Sequence, residues 1–377
     1  GSGLAAFAGT LFFSLHPVHT EALNVISYRG LLLSGMFTFL SLFVFLSTKR
    51  PFARFILIPV LFLLALASKE SSAAIPLVLA AASIYTGEIS AKKGLAENLK
   101  SSLFLLPMFS LLVLYFFLRS YVLTGETQSF FEGLAPSGGI LMVFKIFYQY
   151  MRLIFLPYPL SPFYDWSVIG IPSSLSDYEV IIGLIFISAS IFSFFYFLRR
   201  MPLFSFAILI FFIELLPVSH IMPFIVPFAE RFLYIPLIGI AVILSFLIGA
   251  MLKRGMKTGA AIIAALLILP ASGVSFVRNG EWKSTISILE ANVRDFPNSF
   301  NAHFSLGKLL MDSDRRRSEE HLKTAIRIMP GVPVTYALLA ADYILEGRHE
   351  EAGELLEKAP EKEIVMIILN DELAKRR

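Results

Sequence analysis

The sequence predicts an all-α protein: a polytopic transmembrane helical bundle followed by a short helical-repeat solenoid. Of its 377 residues, 56% are hydrophobic and only 16% are charged, whereas soluble domains carry about 25% charged residues. Residues 1–275 hold long apolar runs, and residues 276–377 hold most of the charge. This uneven composition indicates two domains, the first in a bilayer and the second in water.

The transmembrane prediction rests on about nine apolar runs, because a bilayer core needs roughly 20 apolar helical residues per span. Several runs are short and must extend into their flanks. They cover residues 4–15, 30–48, 55–68, 71–86, 101–118, 179–198, 202–217, 232–251 and 258–275.

The orientation follows from the basic residues, which cluster in alternate connections at 49–54, 92–100, 199–200 and 253–257. The positive-inside rule makes that side cytoplasmic. The opposite, outer face then receives the long stretch 119–178 and the C-terminal domain.

Within the outer stretch, residues 139–156 are apolar but carry Lys145, Gln149 and Arg152 at helical spacing. A basic amphipathic pattern of this kind predicts an interfacial helix that lies on the outer face and does not cross. A crossing here would also place the basic pair at 199–200 on the wrong side.

The C-terminal domain is predicted to be a repeat array because its pattern recurs every 34 residues. Ser318, Leu322 and Ala325 stand 34 residues before Ala352, Leu356 and Ala359. The period and the small residues resemble the tetratricopeptide repeat, whose paired helices touch closely at small side chains. About two full units follow a half-unit at 282–297, and they form either a structural cap or a groove for an extended peptide.

Composition also excludes several kinds of chemistry. The chain has no cysteine, and its six histidines lack zinc-binding spacing, so no metal site and no cofactor are expected. The basic residues flank apolar runs, which indicates membrane orientation and not nucleic-acid binding. The sequence has no glycine-rich phosphate loop, so a phosphorylated donor would be carried by a lipid.

Five polar clusters lie on the predicted outer face, where charges at membrane depth cost roughly 2.5–3.5 kcal/mol each and are therefore usually paired or functional. They are His16, His19 and Glu21 with Arg29; Lys69 and Glu70; Asp165 and Trp166; His220; and Glu230 and Arg231 with Tyr234.

Each cluster has a structural alternative. The histidines and Glu21 can bind a metal or exchange a proton, or they can cap a helix and pair with Arg29. Glu70 can act as an acid or base, or pair with Lys69.

Asp165 can bind a sugar hydroxyl or cap a turn, and Trp166 suits the headgroup region. Arg231 is suited to a lipid-linked phosphate, because a guanidinium binds phosphate in a bidentate manner, or it is neutralised by Glu230.

In order and spacing these clusters resemble the transmembrane and tetratricopeptide-repeat-containing proteins, a family of membrane O-mannosyltransferases. The matching segments are residues 16–22 with Arg29, residues 69–70, residues 157–172 and residues 229–236. The resemblance implies a C-type glycosyltransferase fold and inverting transfer from a polyprenyl- or dolichyl-phosphate sugar. Mannose is the favoured sugar, and the acceptor is a protein hydroxyl on the outer or luminal face, with recognition by the repeats.

For such a transfer we expect the following roles of the clusters. Arg231, Tyr234 and Arg29 would bind the donor phosphate, and Glu21 or Glu70 would act in catalysis. The remaining polar residues of the clusters would line the pocket: His16, His19, Lys69, Asp165, Trp166, His220 and Glu230.

The family begins with an earlier span and an acidic outer loop that is usually assigned the base. This chain starts after that loop and without Met, so we expect an N-terminal truncation that removes the main base. The absence of cysteine favours a bacterial or archaeal cytoplasmic membrane, with the endoplasmic reticulum expected for a eukaryotic protein.

Two other functions fit the sequence. One is an inactive membrane scaffold that presents its repeats to a protein partner. The other is a transporter of lipid-linked sugars, for which ionisable residues deep in the spans are expected. Here the charges gather at one face, and Glu214 is the main exception.

Overall fold

The computed structural model describes residues 3–122, 136–172, 174–219 and 226–376. In these ranges the chain forms helices and no β-strand, which confirms the all-α prediction. The α-helices are α1 (Gly3–Leu15), α2 (His19–Asn24), α3 (Arg29–Ser47), α4 (Ile58–Ser68), α5 (Ile75–Tyr85), α6 (Leu95–Ser102), α7 (Leu106–Val122), α8 (Pro136–Phe155), α9 (Trp166–Ile169), α10 (Tyr178–Phe197), α11 (Pro202–Leu215), α12 (Leu237–Lys253), α13 (Lys257–Glu281), α14 (Thr285–Asp295), α15 (Phe300–Leu310), α16 (Arg315–Ile328), α17 (Pro333–Leu345), α18 (His349–Glu357) and α19 (Lys362–Arg376).

The chain divides into two compact units. The first unit comprises Gly1–Tyr158 and Pro172–Arg278, and the second comprises Pro159–Ile171 and Asn279–Arg377. The sequence suggested a border near residue 275 and left the whole stretch 119–178 with the membrane domain. The structure instead assigns part of that stretch to the second unit.

The helices of the first unit have the lengths and the apolar surfaces of a membrane-embedded bundle. Five of the described helices are long and apolar enough to cross: Ile26–Ser47, Leu95–Val122, Gly138–Phe155, Tyr178–Phe197 and Lys257–Glu281. Four of these five helices coincide with predicted apolar runs. The remaining five of the nine predicted runs form shorter apolar helices of 10–17 residues. In the helices Tyr178–Phe197 and Lys257–Glu281, only 11% of the most apolar stretch is buried within the protein. Such large exposed apolar faces are typical of contact with lipid.

Helix α8 contains the segment that the sequence predicts to be interfacial. It has the lowest mean hydropathy of the five long helices, 1.2. Lys145 pairs with Glu179 at 2.7 Å, Gln149 donates to the same carboxylate at 3.3 Å, and Arg152 donates to Gln149 at 2.9 Å. The polar stripe therefore bonds to the start of α10, and the interfacial position stays a prediction.

One buried ion pair connects two of the predicted cytoplasmic connections. The Arg54 guanidinium donates to both oxygens of Glu88, at 3.2 and 2.9 Å, and lies 3.6 Å from the centre of the Phe45 ring. Arg54 follows α3 and Glu88 follows α5, so these two connections lie at the same end of the bundle. The predicted orientation requires both connections to lie at one end. That this end faces the cytoplasm stays a prediction.

The second unit consists of short helices that pack in pairs with the expected period. Ser318 and Ala325 are buried, as are Ala352 and Ala359, which follow them by 34 residues. Gly307 allows α15 to approach α16, because a Cβ at this position would lie 2.8 Å from Cγ of Leu322. Small residues therefore occupy the helix contacts, and the tetratricopeptide assignment stays an interpretation.

The segment Pro159–Ile171 belongs to the second unit through specific contacts. Phe163 packs against the apolar cluster of α14 and α15, and Ser161 donates to the Asn292 side chain at 2.9 Å. The backbone N–H of Phe300 donates to the Ser167 hydroxyl, also at 2.9 Å. This segment therefore forms one wall of the helical array.

Candidate functional site

A buried ion pair between Glu21 and Arg231 lies at the centre of the first unit's polar site. Pro17 ends α1, because the residue before a proline disfavours helical dihedrals, and the chain re-enters a helix that carries Glu21. Arg231 lies on a 3₁₀ turn before α12. Its backbone N–H donates to Oε2 of Glu21 at 3.0 Å, and its Nη1 donates to Oε1. Both carboxylate oxygens are thus engaged by one residue.

A second pair lies in the same network, because Arg278 also acts electrostatically on Glu21. Nη2 of Arg278, near the end of α13, lies 3.9 Å from Oε1 of Glu230. We call Glu21, Arg231, Glu230 and Arg278 the charged network. The sequence suggested pairing of Glu230 with its neighbour Arg231 and of Glu21 with Arg29. The structure instead pairs residues that are far apart in the chain.

Arg231 is the accessible member of the charged network. Its side chain is 15% exposed, against 3% for Glu21 and Arg278 and 0% for Glu230. The guanidinium lies 4.5 Å from the centre of the Tyr28 ring. Of its side-chain nitrogens, only Nη1 is hydrogen bonded in the described part of the chain. Nε and Nη2 are therefore available to an anionic ligand.

Burial sets the ionisation of Glu21. It raises the pKa of Glu21 above its usual range, and the positive charges of Arg231 and Arg278 oppose that rise. A carboxylate in this position is ionised only because cations surround it. The guanidinium of Arg231 and the charge of Glu21 therefore depend on each other.

His16 and His19 lie next to the charged network in neutral form. Burial lowers the pKa of His16 to about 4 and that of His19 to about 3. Nε2 of His16 is 3.1 Å from the Ile154 carbonyl oxygen, which it reaches as a donor, while its Nδ1 accepts the Val18 N–H at 3.4 Å. His16 therefore holds α8 against the site.

The ring of His19 lies in an aromatic environment, 4.7 Å from Phe13 and 5.1 Å from Tyr234, centre to centre. Gly35 makes room for Tyr234, because a Cβ there would lie 2.6 Å from Cε1 of that ring. His19 and Tyr234 thus form one packed layer beside the charged network.

Two site residues were missed by sequence reasoning. Arg278 is the first charged residue after the last apolar run. In the sequence this position indicated only the end of a transmembrane span. Tyr150 lies on α8 with its ring 4.8 Å from Phe228, and its hydroxyl is buried without a hydrogen bond among the described residues. Arg231 acts on it electrostatically. Nothing in the spacing of α8 distinguishes Tyr150 from a core residue.

Other predicted site residues lie elsewhere or have other partners. Glu70 pairs with Arg119 of α7 and not with Lys69, and both members of this pair are more than a third exposed. Lys69 and Arg29 are exposed. His220 lies outside the described residues.

Asp165 and Trp166 belong to the second unit. Asp165 caps α9 by accepting the Ser167 N–H at 2.9 Å, and it also accepts the side-chain amide of Asn301. No group of three or more possible metal ligands occurs in the described ranges.

The fold and the site together define an integral membrane protein, all-α, with a buried charged network where helices α2, α12 and α13 end or begin. A single partly accessible arginine connects this network to the surface. No protein-family model matches the sequence, and no solved structure matches the chain.

Curated relatives do match. Protein O-mannosyl-transferase F38B6.6 of Caenorhabditis elegans is 27% identical over 340 residues, which are 86% of this chain and 46% of that protein. Protein O-mannosyl-transferase TMTC4 is 33% identical in Mus musculus and 32% identical in Homo sapiens, each match covering 40% of this chain and 21% of the relative.

These matches confirm the resemblance to the transmembrane and tetratricopeptide-repeat-containing O-mannosyltransferases. The chain spans about half the length of the first of these relatives and a smaller part of the other two. All three are animal proteins, so they give no support to the bacterial or archaeal membrane that the missing cysteines favoured.

Proposed function

We propose that the protein is a membrane glycosyltransferase that moves a sugar, with mannose favoured, from a polyprenyl- or dolichyl-phosphate donor to a hydroxyl of a protein acceptor. One observation carries this proposal. Arg231 is held by the buried carboxylate of Glu21 while Nε and Nη2 of its guanidinium remain available. The names of the relatives support mannose as the sugar and protein as the acceptor.

The reaction is an inverting displacement on the outer or luminal side. A base takes the proton of the acceptor hydroxyl, and the hydroxyl oxygen attacks the anomeric carbon. The bond from that carbon to the phosphate oxygen breaks, and its electron pair leaves with the lipid phosphate. Arg231 binds that phosphate and stabilises its growing negative charge, an effect that is strongest in a site shielded from water.

Glu21 is best suited to position Arg231. Both of its oxygens bind Arg231, so the carboxylate fixes the guanidinium and supplies the charge that keeps it in a buried site. Glu70 is the more exposed carboxylate and bonds to Arg119, which leaves it free to serve as a base only after that pair opens. Arg29 and Tyr234 complete the phosphate site in this proposal.

The test is a transfer assay in membranes that contain the protein. Radiolabelled polyprenyl-phosphate mannose is supplied, and label in protein is followed for the wild type and for Arg231→Ala. The matched control is Arg152→Ala, which removes another arginine of the predicted outer stretch and leaves the pair of Glu70 and Arg119 in place. We expect label in protein for the wild type and the control and at least about a 100-fold loss for Arg231→Ala, as for the removal of one oxyanion donor.

Equal labelling by wild type and Arg231→Ala would remove Arg231 from the mechanism. Absence of label would exclude mannose, and absence with every lipid-linked sugar tried would favour the scaffold.

One observation favours the transporter as a second candidate. Glu214 lies on the apolar helix α11, is 6% exposed, and has one oxygen without a hydrogen bond among the described residues. Buried ionisable residues inside membrane helices often mark substrate or proton pathways. A transporter would lose lipid-linked sugar movement across vesicles in Glu214→Gln, whereas the glycosyltransferase would keep normal transfer in that variant.

A further inference from the structure

The second unit contains a cleft that the proposed donor site does not use. It has a volume of about 780 Å³, within the range of roughly 300–1,000 Å³ that is typical of ligand sites. Its walls come from α9, from the connection between α14 and α15, and from the end of α16. Residues lining it include Trp166, Asn298, Thr324, Arg327, Ile328 and Met329.

The charge of the cleft comes from Arg327. This side chain is exposed, and its only hydrogen bond in the described part of the chain is from Nη2 to the Thr324 hydroxyl at 3.0 Å. The cleft-lining residues, all of which the structure describes, include no Asp or Glu. The cleft therefore presents a cation that no lining carboxylate neutralises, with most of its donors available.

Hydrogen bonds to neighbouring residues fix the position of Trp166, which forms the aromatic part of the cleft wall. Asp165 caps the short helix that carries Trp166 and also accepts from Asn301, and the Ser167 hydroxyl accepts the Phe300 N–H at 2.9 Å. These bonds fix the main chain on both sides of Trp166. A fixed indole next to apolar side chains binds an apolar group with little loss of conformational entropy.

We propose that this cleft binds an extended, acidic stretch of polypeptide, with a carboxylate at Arg327 and a neighbouring apolar side chain against Trp166. Charge complementarity selects this occupant, because a guanidinium with free donors binds carboxylates strongly. The proposal deepens the proposed function and rests on it for the source of the polypeptide, which is the acceptor protein. The cleft then sets which hydroxyl-bearing segments are presented for transfer.

Peptide binding to the whole protein in detergent tests the proposal. The probe is a fluorescein-labelled nine-residue peptide of alternating glutamate, leucine and threonine, and the matched probe has glutamine in place of every glutamate. Fluorescence anisotropy reports both affinities. We expect the glutamate peptide to bind at least about 10-fold more tightly, since hydrogen bonds to charged groups are the stronger class.

Two variants distinguish the contribution of the Arg327 charge to peptide binding from that of the Trp166 ring. Arg327→Gln should remove the preference for glutamate, and Trp166→Ala should weaken both peptides. Arg316→Gln is the matched control, because Arg316 lies on the same helix with an 87% exposed side chain and does not line the cleft. It should leave both affinities unchanged.

Three results would overturn the proposal: no binding of the glutamate peptide, equal binding of the two peptides, or wild-type affinity in Arg327→Gln. Failure of the donor site is distinguishable from these, because Arg231→Gln should bind the glutamate peptide normally while losing transfer. Peptide binding that persists in a protein with no transfer activity counts against the proposed function alone.

Discussion

Replacing Glu21 with glutamine should destabilise the first unit strongly. The charged network contains two carboxylates and two guanidinium groups, three of which are at most 3% exposed. Glutamine keeps the shape of Glu21 and can still accept the Arg231 N–H. It removes one negative charge, so the buried network is left with an excess positive charge that the low-dielectric surroundings do not screen.

The expected magnitude follows from the burial. Removing one partner of a buried pair costs about 3–5 kcal/mol, and Glu21→Gln should approach the lower end because its hydrogen bonds are partly kept. Arg231→Gln should cost less, because Glu21, whose pKa is raised by burial, can take up a proton and so avoid leaving an unpaired charge in the buried network. The double variant restores neutrality, so the two effects should fall short of additivity by about 1–3 kcal/mol.

The assay is a double-mutant cycle on the free energy of unfolding, measured by titrating detergent-solubilised protein with sodium dodecyl sulfate and following far-ultraviolet circular dichroism. Glu70→Gln and Arg119→Gln form the control cycle. That pair is 42% and 37% exposed, so its coupling should be below about 1 kcal/mol. Strict additivity of Glu21→Gln and Arg231→Gln would refute the reasoning, because it would mean that the two charges do not stabilise each other.

Three further predictions concern stability. Burial holds the pKa of His19 at about 3 against the usual 6.5, so the unfolded state takes up the extra proton and stability falls as pH drops below about 6.5. His19→Phe should flatten this loss in unfolding midpoints measured from pH 7 to pH 4, and an unchanged slope would contradict the assignment. Gly307→Ala should lower the thermal midpoint, at a cost of about 1–3 kcal/mol, because its Cβ meets Leu322; an unchanged midpoint would show that the helices can separate freely. Asp165→Ala removes a helix cap and the bond to Asn301, at a cost of about 1 kcal/mol or more, and should speed chymotrypsin cleavage after Trp166; wild-type cleavage rates would argue against the anchoring role.

The sequence was sufficient for the helices and the repeat period. Every predicted apolar run forms a helix, because hydropathy over a run of residues depends on composition alone. The 34-residue period predicted small residues at close helix contacts, and Ala325 and Ala359 are buried, because a repeat contacts mainly its sequence neighbours.

The partners of the charges could not be read from the sequence. Glu230 and Arg231 are adjacent, but consecutive residues on a 3₁₀ turn point about 120° apart, so each contacts a different part of the chain. Arg231 reaches Glu21, which is 210 positions away. Such pairings depend on how the helices assemble, and no local pattern encodes that assembly.

The same limit explains the segment that contains Asp165 and Trp166. Its aromatic and turn-forming residues were typical of a membrane interface, so the sequence placed it with the spans. In the structure its polar side chains bond to α14 and α15 of the second unit. Hydropathy reports the solvent that a segment prefers and does not identify the helices that cover it.

Binding of undecaprenyl phosphate to the purified protein tests the central claim most directly, because it isolates the phosphate site from sugar and acceptor. Native mass spectrometry can compare wild type, Arg231→Gln and the control Arg119→Gln, with undecaprenol as the ligand that lacks phosphate. We predict that wild type and Arg119→Gln bind the phosphate at least about 10-fold more tightly than Arg231→Gln does, and that undecaprenol shows no such difference. Equal binding of the phosphate by wild type and Arg231→Gln would contradict the claim that the charged network presents Arg231 to a lipid-linked phosphate.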